Sequence, residues 1–174
     1  SFSKESFEGL ELWLDANDLD SLAKNQDGTG GKPANNGTVK YWKDKSGRDN
    51  HARMHPKRTG NIPKLKENSR NSKHALEFTN DVLIVDNSAR FDELDQMTLF
   101  VAFKSHNVNN WAPIISKRGE SNQGWQFRHR GGGNRMTLTI RGTSGGDDPD
   151  PNPRIDHRGK WRIYSARYDG TSRT

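Results

Sequence analysis

The clearest structural signal in the sequence is residues 125–141, WQFRHRGGGNRMTLTIR. On both sides of the GGGN segment, apolar and polar side chains alternate with period two, which is typical of half-buried β-strands. Three glycines and an asparagine tolerate the positive φ angles that a tight reversal needs. Pairing across this loop places Phe127 opposite Leu138 and Arg130 opposite Arg135. The stretch therefore predicts an antiparallel hairpin with one apolar face and one polar, basic face, because a slip of one residue would mix the faces.

The polar face of this hairpin is the candidate ligand-binding surface. Like charges directly opposite each other, as in Arg130 and Arg135, cost stability, whereas guanidinium groups form paired hydrogen bonds with uronate or sulfate oxygens. Solvation of both side chains near a loop tip is the alternative. If the chain binds glycan, the pattern favours an acidic polysaccharide. The predicted binding residues are Gln126, Arg128, Arg130, Arg135, Thr137 and Arg141, and Thr139 shares their face.

Short apolar runs separated by Gly, Asn, Asp and Pro continue along the rest of the chain, without a long helical period. Residues 18–23 have the pattern of one helical turn, with Asp18 or Asp20 as its cap. The segments 25–37 and 53–72 are polar and are predicted to be loops. The fold class that follows is an all-β sandwich. Its strands are predicted at residues 10–14, 39–42, 75–78, 82–85, 97–104, 113–117, 125–130, 135–141 and 161–168.

Composition excludes several classes of site. The chain has 174 residues, which fits one domain, and carries 28 Lys and Arg against 22 Asp and Glu. Because it has no cysteine, structural disulfides, thiolate zinc sites, iron–sulfur clusters and a cysteine nucleophile are excluded. No stretch is apolar over the length of a membrane span. The basic charges are spread among the acids without a DNA- or RNA-binding motif, so no nucleic-acid partner is expected.

Five further segments carry a family resemblance through their sequence and their order along the chain. They are GLELWLDA at 9–16, WKDKSG at 42–47 with HA at 51–52, ALEF at 75–78, MTLFV at 97–101 and WRIYSARYDG at 161–170. Together they resemble the laminin G-like branch of the concanavalin A-like lectin/glucanase superfamily. The resemblance implies a jelly-roll sandwich of two antiparallel sheets, in a module of a larger protein exported to the periplasm, cell surface or extracellular space. It also implies strands beyond the YDG turn, so residues 1–174 are expected to be a single domain that lacks its C-terminal strands.

The same segments define the expected core and one expected turn. Apolar side chains on the inward phase of the alternating runs are predicted to be largely buried. Asp44, two residues before Ser46-Gly47, is predicted to cap its own turn through backbone N–H groups. The predicted core residues are Trp13, Trp42, Phe78, Leu99, Val101, Phe127, Leu138 and Ile163.

Catalysis is not expected. The glucanases of the superfamily use a Glu-x-Asp-x-x-Glu strand motif, whose outer carboxylates act as nucleophile and general acid. The nearest match begins at Glu93 and continues through Asp95, but Thr98 stands where the second Glu is required. The paired-Glu motif is therefore absent, and the chain is predicted not to be an enzyme.

An acidic, proline-stiffened segment at 147–153, DDPDPNP, is a candidate calcium site. Carboxylate and amide oxygens are the ligands that Ca²⁺ prefers, and laminin G-like domains often carry Ca²⁺ at a loop rim. The predicted ligands are Asp147, Asp148 and Asp150, although their spacing is not that of a regular calcium loop. A solvated acidic loop without metal is the alternative.

Two functions from different classes remain. The first is a non-catalytic carbohydrate-binding module of an exported multidomain protein. The second is a structural or protein-interaction module that docks neighbouring modules and binds no glycan; a glycan-cleaving enzyme is the least favoured. Basic or aromatic side chains gathered on a sheet face would favour the first, and an exposed apolar patch would favour the second.

Overall fold

The structure of the protein is a computed structural model that describes residues 7–92, 95–106, 111–118, 123–130, 135–142, 145–147 and 158–172. Across these residues the protein is all-β, as the sequence predicts: twelve strands and two short 3₁₀ turns. Every hydrogen-bonded pair of these strands is antiparallel. The chain divides into two compact units, Ser1–Asn87 and Ser88–Thr174. The expectation of a single domain over 1–174 stays a prediction.

The first unit contains a four-stranded sheet and a separate two-stranded sheet. The four-stranded sheet has the order β1-β2-β3-β6, and β4 pairs with β5. Leu22, Val39 and Leu65 form the buried core of this unit. The strands are β1 (Leu22–Ala23), β2 (Tyr41–Trp42), β3 (Ala52–Met54), β4 (Lys64–Arg70), β5 (Lys73–Glu77) and β6 (Leu83–Val85), and a 3₁₀ turn (Leu19–Ser21) precedes β1.

Two predictions for the first unit are wrong. Residues 10–14 form no strand, because the Trp13 backbone bonds to the Asp44 carboxylate and to the Lys45 N–H instead of to a ladder. The segment 53–72 is not a loop, since it contains the end of β3 and all of β4. A single fully buried residue, Leu65, fixes β4 among polar neighbours, so the strand lacked a clear apolar alternation.

Asp44 organises the turn that follows β2, as the sequence predicts. Its carboxylate accepts hydrogen bonds from the backbone N–H groups of Ser46 (2.9 Å) and Asn50 (3.0 Å). It also accepts one from the Ser46 hydroxyl (2.6 Å) and one from the Trp13 N–H (2.8 Å). Asp44 is buried, so these four donors compensate for the loss of water around its charge. The residue therefore ties the segment around Trp13 to the turn.

The second unit is a sandwich of two sheets. One sheet has the order β11-β10-β9-β8, and the other pairs β12 with β7. The strands are β7 (Met97–Lys104), β8 (Pro113–Arg118), β9 (Gly124–Arg130), β10 (Arg135–Gly142), β11 (Gly145–Asp147) and β12 (Trp161–Tyr168), and a 3₁₀ turn (Ala89–Phe91) precedes β7. The core between the sheets has buried Trp125, Phe127, Met136, Leu138 and Ala166 at its centre.

The predicted hairpin register is confirmed in every pair. β9 and β10 place Phe127 opposite Leu138 and Arg130 opposite Arg135. The turn itself, residues 131–134, lies outside the described residues. Because the register holds, one face of the hairpin packs in the core and the other carries the polar residues.

The predicted core is confirmed at its centre and wrong at two positions. Phe127 and Leu138 are buried, whereas Phe78 is 48% exposed and Ile163 is 80% exposed. Ile163 lies opposite Ala102 on the outward side of the β7–β12 pair, and its neighbour Tyr164 takes the inward position. The alternation of β12 is therefore opposite in phase to the prediction. Trp13, Trp42, Leu99 and Val101 are half-buried.

The outward side of β7 and β12 carries a small apolar area, which we call the outer patch. It consists of Phe100, which is 66% exposed, together with Ala102 and Ile163. Phe100 pairs with Ser165, and Ile163 pairs with Ala102, so the three side chains are neighbours on one surface. All three residues of the outer patch are exposed to solvent.

Replacing Phe127 by Ala should destabilise the protein by about 3–5 kcal/mol, because the change removes a buried aromatic ring and leaves a cavity in the core. Phe100→Ala is the matched control on the exposed outer patch and should change stability by less than about 0.5 kcal/mol. Urea unfolding followed by circular dichroism measures both. Equal effects of the two variants would contradict the inward position of Phe127.

Replacing Asp44 by Asn should destabilise the protein by about 2–3 kcal/mol, because the amide group turns a donor toward N–H groups that need an acceptor. Asp49→Asn is the control: its side chain is 88% exposed, and asparagine tolerates the positive φ found there. Thermal unfolding of both variants provides the comparison. A fully stable Asp44→Asn protein would show that the four hydrogen bonds are dispensable.

Candidate functional site

The polar face of β8, β9 and β10 carries five arginines, and we call it the arginine face. It lies on the side of the sheet opposite the core, because alternate residues of each strand point to opposite faces. Among its nine side chains on the described strands, none is acidic. The arginine face consists of Ser116, Arg118, Gln126, Arg128, Arg130, Arg135, Thr137, Thr139 and Arg141.

Gln126 links two of the guanidinium groups at the centre of this face. Its side-chain oxygen accepts hydrogen bonds from Arg118 Nη1 (3.1 Å) and Arg128 Nη1 (3.2 Å). Its amide nitrogen donates to the Ser116 hydroxyl at 3.0 Å. The shared acceptor holds two like charges near each other and fixes the orientation of both groups.

Burial divides the arginine face into an inner and an outer set. Arg128 is only 5% exposed, and Thr137 and Thr139 are also buried. The other charged members are half-buried: Arg118, Arg130, Arg135 and Arg141. The sequence predicted that Arg128, Arg130, Arg135, Arg141, Gln126, Thr137 and Thr139 share one face, and the structure brings them together there. Arg118 and Ser116 were not predicted, and they join the face through the pairing of β8 with β9. A ligand that reaches the face therefore meets the half-buried arginines, while Arg128 supports them from within the fold.

Trp111 lies against the arginines and was missed by the sequence analysis. Its ring centroid is 4.7 Å from the Arg128 guanidinium carbon and 5.7 Å from that of Arg130, within the range of cation–π attraction. The side chain is 45% exposed. The only local signal is a tryptophan in the polar sequence NNWAP at 109–113, which gives no indication of the face that the ring joins.

The backbone of Trp111 is held in an unusual conformation. Its φ of 70° lies in the left-handed region, which costs a bulky residue about 1–3 kcal/mol. The Trp111 N–H donates to the His129 carbonyl at 3.1 Å, and the His129 N–H donates to the Ala112 carbonyl at 2.9 Å. These two hydrogen bonds join the segment before β8 to β9 and hold the ring over the arginine face.

A titrating group in the neighbouring core is shifted by burial. The pKa of the Tyr164 hydroxyl is raised because desolvation disfavours its charged form. Its ring stacks on Phe103 with centroids 5.4 Å apart and contacts Phe127 at 6.0 Å. Tyr164 therefore stays neutral at ordinary pH and serves the packing beneath the arginine face.

The predicted calcium ligands are only partly within the described residues. Asp148 and Asp150 lie outside them. Asp147 ends β11, where its backbone pairs with Ile140. Among the residues that the structure describes, no group of three or more His, Asp or Glu side chains is arranged to hold a metal ion. The calcium site at 147–150 therefore stays a prediction.

The nearest match to the glucanase motif lies only partly within the described residues. Glu93, the first residue of the candidate glucanase match, lies outside the described residues, and Thr98 is on β7. The carboxylates of Asp15 and Asp18 contact Lys45 Nζ at 3.3 and 2.8 Å, so both serve an ion pair in the first unit. In the described parts of the chain, no helix has the length and apolar character needed to cross a bilayer.

The first unit has a cleft of about 370 Å³ with mixed charges. The Asp81 carboxylate accepts a hydrogen bond from the Thr79 N–H at 2.7 Å, and Glu77 pairs with Lys66 at 3.0 Å. The two carboxylates of the cleft are therefore engaged in contacts within the fold. The lining consists of Thr38, Thr59, Gly60, Ile62, Lys64, Glu77, Thr79 and Asp81, without an aromatic ring.

Comparison with known proteins adds no family to these observations. No protein-family model, no curated protein and no solved structure matches the chain with significance. The class that the described residues define is an all-β protein of antiparallel sheets, one of which carries an arginine-rich face. The likeness to the laminin G-like branch stays a prediction from the sequence.

Proposed function

We propose that the chain is a non-catalytic carbohydrate-binding module of an exported multidomain protein and that acidic polysaccharide binds to the arginine face. The observation that carries this proposal is the gathering of five guanidinium groups on one sheet face without a carboxylate among its nine described side chains. Guanidinium groups gathered in this way offer several N–H donors to the anionic groups of one polymer.

The chemistry of arginine suits a polymer of repeated anionic groups. A guanidinium carries five N–H donors in a planar fork, so it can bind an anion alongside its contacts within the fold. Carboxylate and sulfate groups both accept paired hydrogen bonds from this fork. Single exposed ion pairs are weak, but a polymer engages several arginines at once and gains from the high effective concentration.

The remaining parts of the proposal come from the sequence resemblance. A laminin G-like jelly roll in a periplasmic, cell-surface or extracellular protein would present a sheet face to polysaccharide. The two-sheet sandwich of the second unit is compatible with that architecture. The lack of the paired-Glu motif around Thr98 supports binding without cleavage.

The arginine pair at the end of the hairpin gives the sharpest test. Replacing Arg130 and Arg135 by Ala should weaken binding to heparin and polygalacturonate about tenfold at 0.15 M salt, because two charge-assisted contacts are lost. Arg128 is left unchanged, since it is buried and its removal would disturb the fold. Isothermal titration calorimetry over a series of salt concentrations measures the effect, and wild-type affinity should fall as salt rises.

The matched control removes the same charge elsewhere. Arg58 and Arg70 are exposed residues of the first unit, so their joint replacement by Ala should leave the affinity nearly unchanged. Failure of the wild-type chain to bind either acidic polysaccharide contradicts the proposal. Equal weakening by the two double variants would mean that net charge, and not the arginine face, determines binding.

Calcium at Asp147, Asp148 and Asp150 is part of the same proposal. Closely spaced carboxylates repel one another, and a divalent cation relieves that repulsion. The thermal midpoint should therefore be higher with excess Ca²⁺ than with chelator, and the difference should vanish in Asp148→Ala. Identical melts of the wild-type chain with and without Ca²⁺ would exclude the site.

A protein-interaction module without glycan is the second candidate, and the outer patch favours it. Phe100 and Ile163 expose apolar surface on the second sheet, as an interaction site would. The polysaccharide measurements also separate the two candidates. A chain that binds none of the polysaccharides at any salt concentration would support the interaction module.

A further inference from the structure

We propose that Trp111 is a sugar-stacking platform and that the ligand is a polysaccharide of anionic pyranose units. One pyranose ring lies with its C–H face on the indole, and its carboxylate or sulfate group reaches Arg130 and Arg135. This inference rests on the carbohydrate-binding function proposed above, and it adds the residue that recognises the sugar ring itself.

The first argument is the exposure of a strained tryptophan. Trp111 leaves 45% of its surface exposed while its backbone has a φ of 70°. An unfavourable backbone conformation persists only where surrounding contacts impose it, here the two hydrogen bonds with His129. The fold thus holds a large apolar ring at the surface, where its burial does not contribute to the core. Such an arrangement points to a ligand as the partner of the ring.

The second argument is the support beneath the ring. Arg128 is buried, donates a hydrogen bond to Gln126 Oε1, and has its guanidinium carbon 4.7 Å from the ring centroid of Trp111. The contact orients the indole before any ligand arrives, which lowers the entropic cost of binding. Arg128 is therefore a positioning residue for the platform.

The third argument is the combination of groups. The electron-rich face of an indole attracts the C–H groups of a sugar ring, which carry partial positive charge. Arg130 lies 5.7 Å from the same ring and directly opposite Arg135. One pyranose unit on the indole therefore has its substituents within reach of the Arg130 guanidinium, and Arg135 is the residue paired with Arg130 on the neighbouring strand. A neutral sugar would use only the ring, and a polyanion without sugar rings would use only the arginines.

The test compares ligands that separate these two contributions. Trp111→Asn is the main variant, because asparagine tolerates a positive φ and preserves the backbone. Trp111→Phe retains an aromatic face, and Phe100→Asn removes an even more exposed ring from the outer patch. The ligands are oligogalacturonate, a heparin oligosaccharide, a neutral cello-oligosaccharide and polyglutamate, each titrated calorimetrically at 0.15 M salt.

We expect Trp111→Asn to weaken binding of the two acidic oligosaccharides at least tenfold while polyglutamate binding changes less than twofold. Trp111→Phe should restore most of the affinity, and Phe100→Asn should match the wild-type chain. The neutral oligosaccharide should bind at least tenfold more weakly than the acidic ones. Whichever acidic oligosaccharide binds more tightly identifies carboxylate or sulfate as the preferred anion. Circular dichroism checks that each variant is folded. If Trp111→Asn does not fold, the comparison of Trp111→Phe with the wild-type chain still tests the contribution of the aromatic ring.

Three results would overturn the inference while leaving the proposed function in place. The first is unchanged affinity of Trp111→Asn for the acidic oligosaccharides. A loss of affinity in Trp111→Phe as large as the loss in Trp111→Asn counts equally against the inference. The second is an equal loss for polyglutamate, which would make Trp111 only a support for the arginines. The third is equally tight binding of the neutral oligosaccharide. Absence of any oligosaccharide or polysaccharide binding by the wild-type chain instead rejects the proposed function itself.

Discussion

The antiparallel pairing of β9 with β10 is the constraint on which the second unit depends. Because strand side chains alternate between faces, one register sends Phe127 and Leu138 into the core and Arg128 and Thr137 onto the arginine face. A shift of one residue would place arginine in the core and aromatic rings outside, so the two faces cannot change independently. The ladder that supplies most of the buried core residues of this unit also determines the charge of its polar surface.

Much of this fold could be predicted where alternation is strong. The bounds of β7 and β12 match the predicted strands, as does the pairing of β9 with β10. The prediction was wrong where a single residue or a single turn determines the local structure without an alternating apolar pattern, as with Leu65 in β4. The phase of β12 was misjudged because Ile163 and Tyr164 are both apolar enough to face inward, and only tertiary packing selects Tyr164.

The sequence predicted which residues share the candidate site, but it did not predict how deeply each of them is buried. Alternation alone placed the arginines on one side of the hairpin, but it could not show that Arg128 would be buried. Burial depends on what covers a face, here including the ring of Trp111. That ring reaches the arginines through a positive φ and a backbone contact with His129, neither of which has a signature in the sequence. The position of the Trp111 ring and the burial of Arg128 therefore depend on contacts between distant parts of the chain, which the local sequence pattern does not show.

The outer patch has a practical consequence for work with the isolated chain. Phe100 and Ile163 contribute apolar surface to solvent but little to the packing between the sheets. Polar replacements there leave the inward residues Leu99 and Tyr164 in place, since neighbouring positions of a strand face opposite ways. The solubility of the protein can thus be adjusted separately from its conformational stability, by editing one side of a two-stranded sheet.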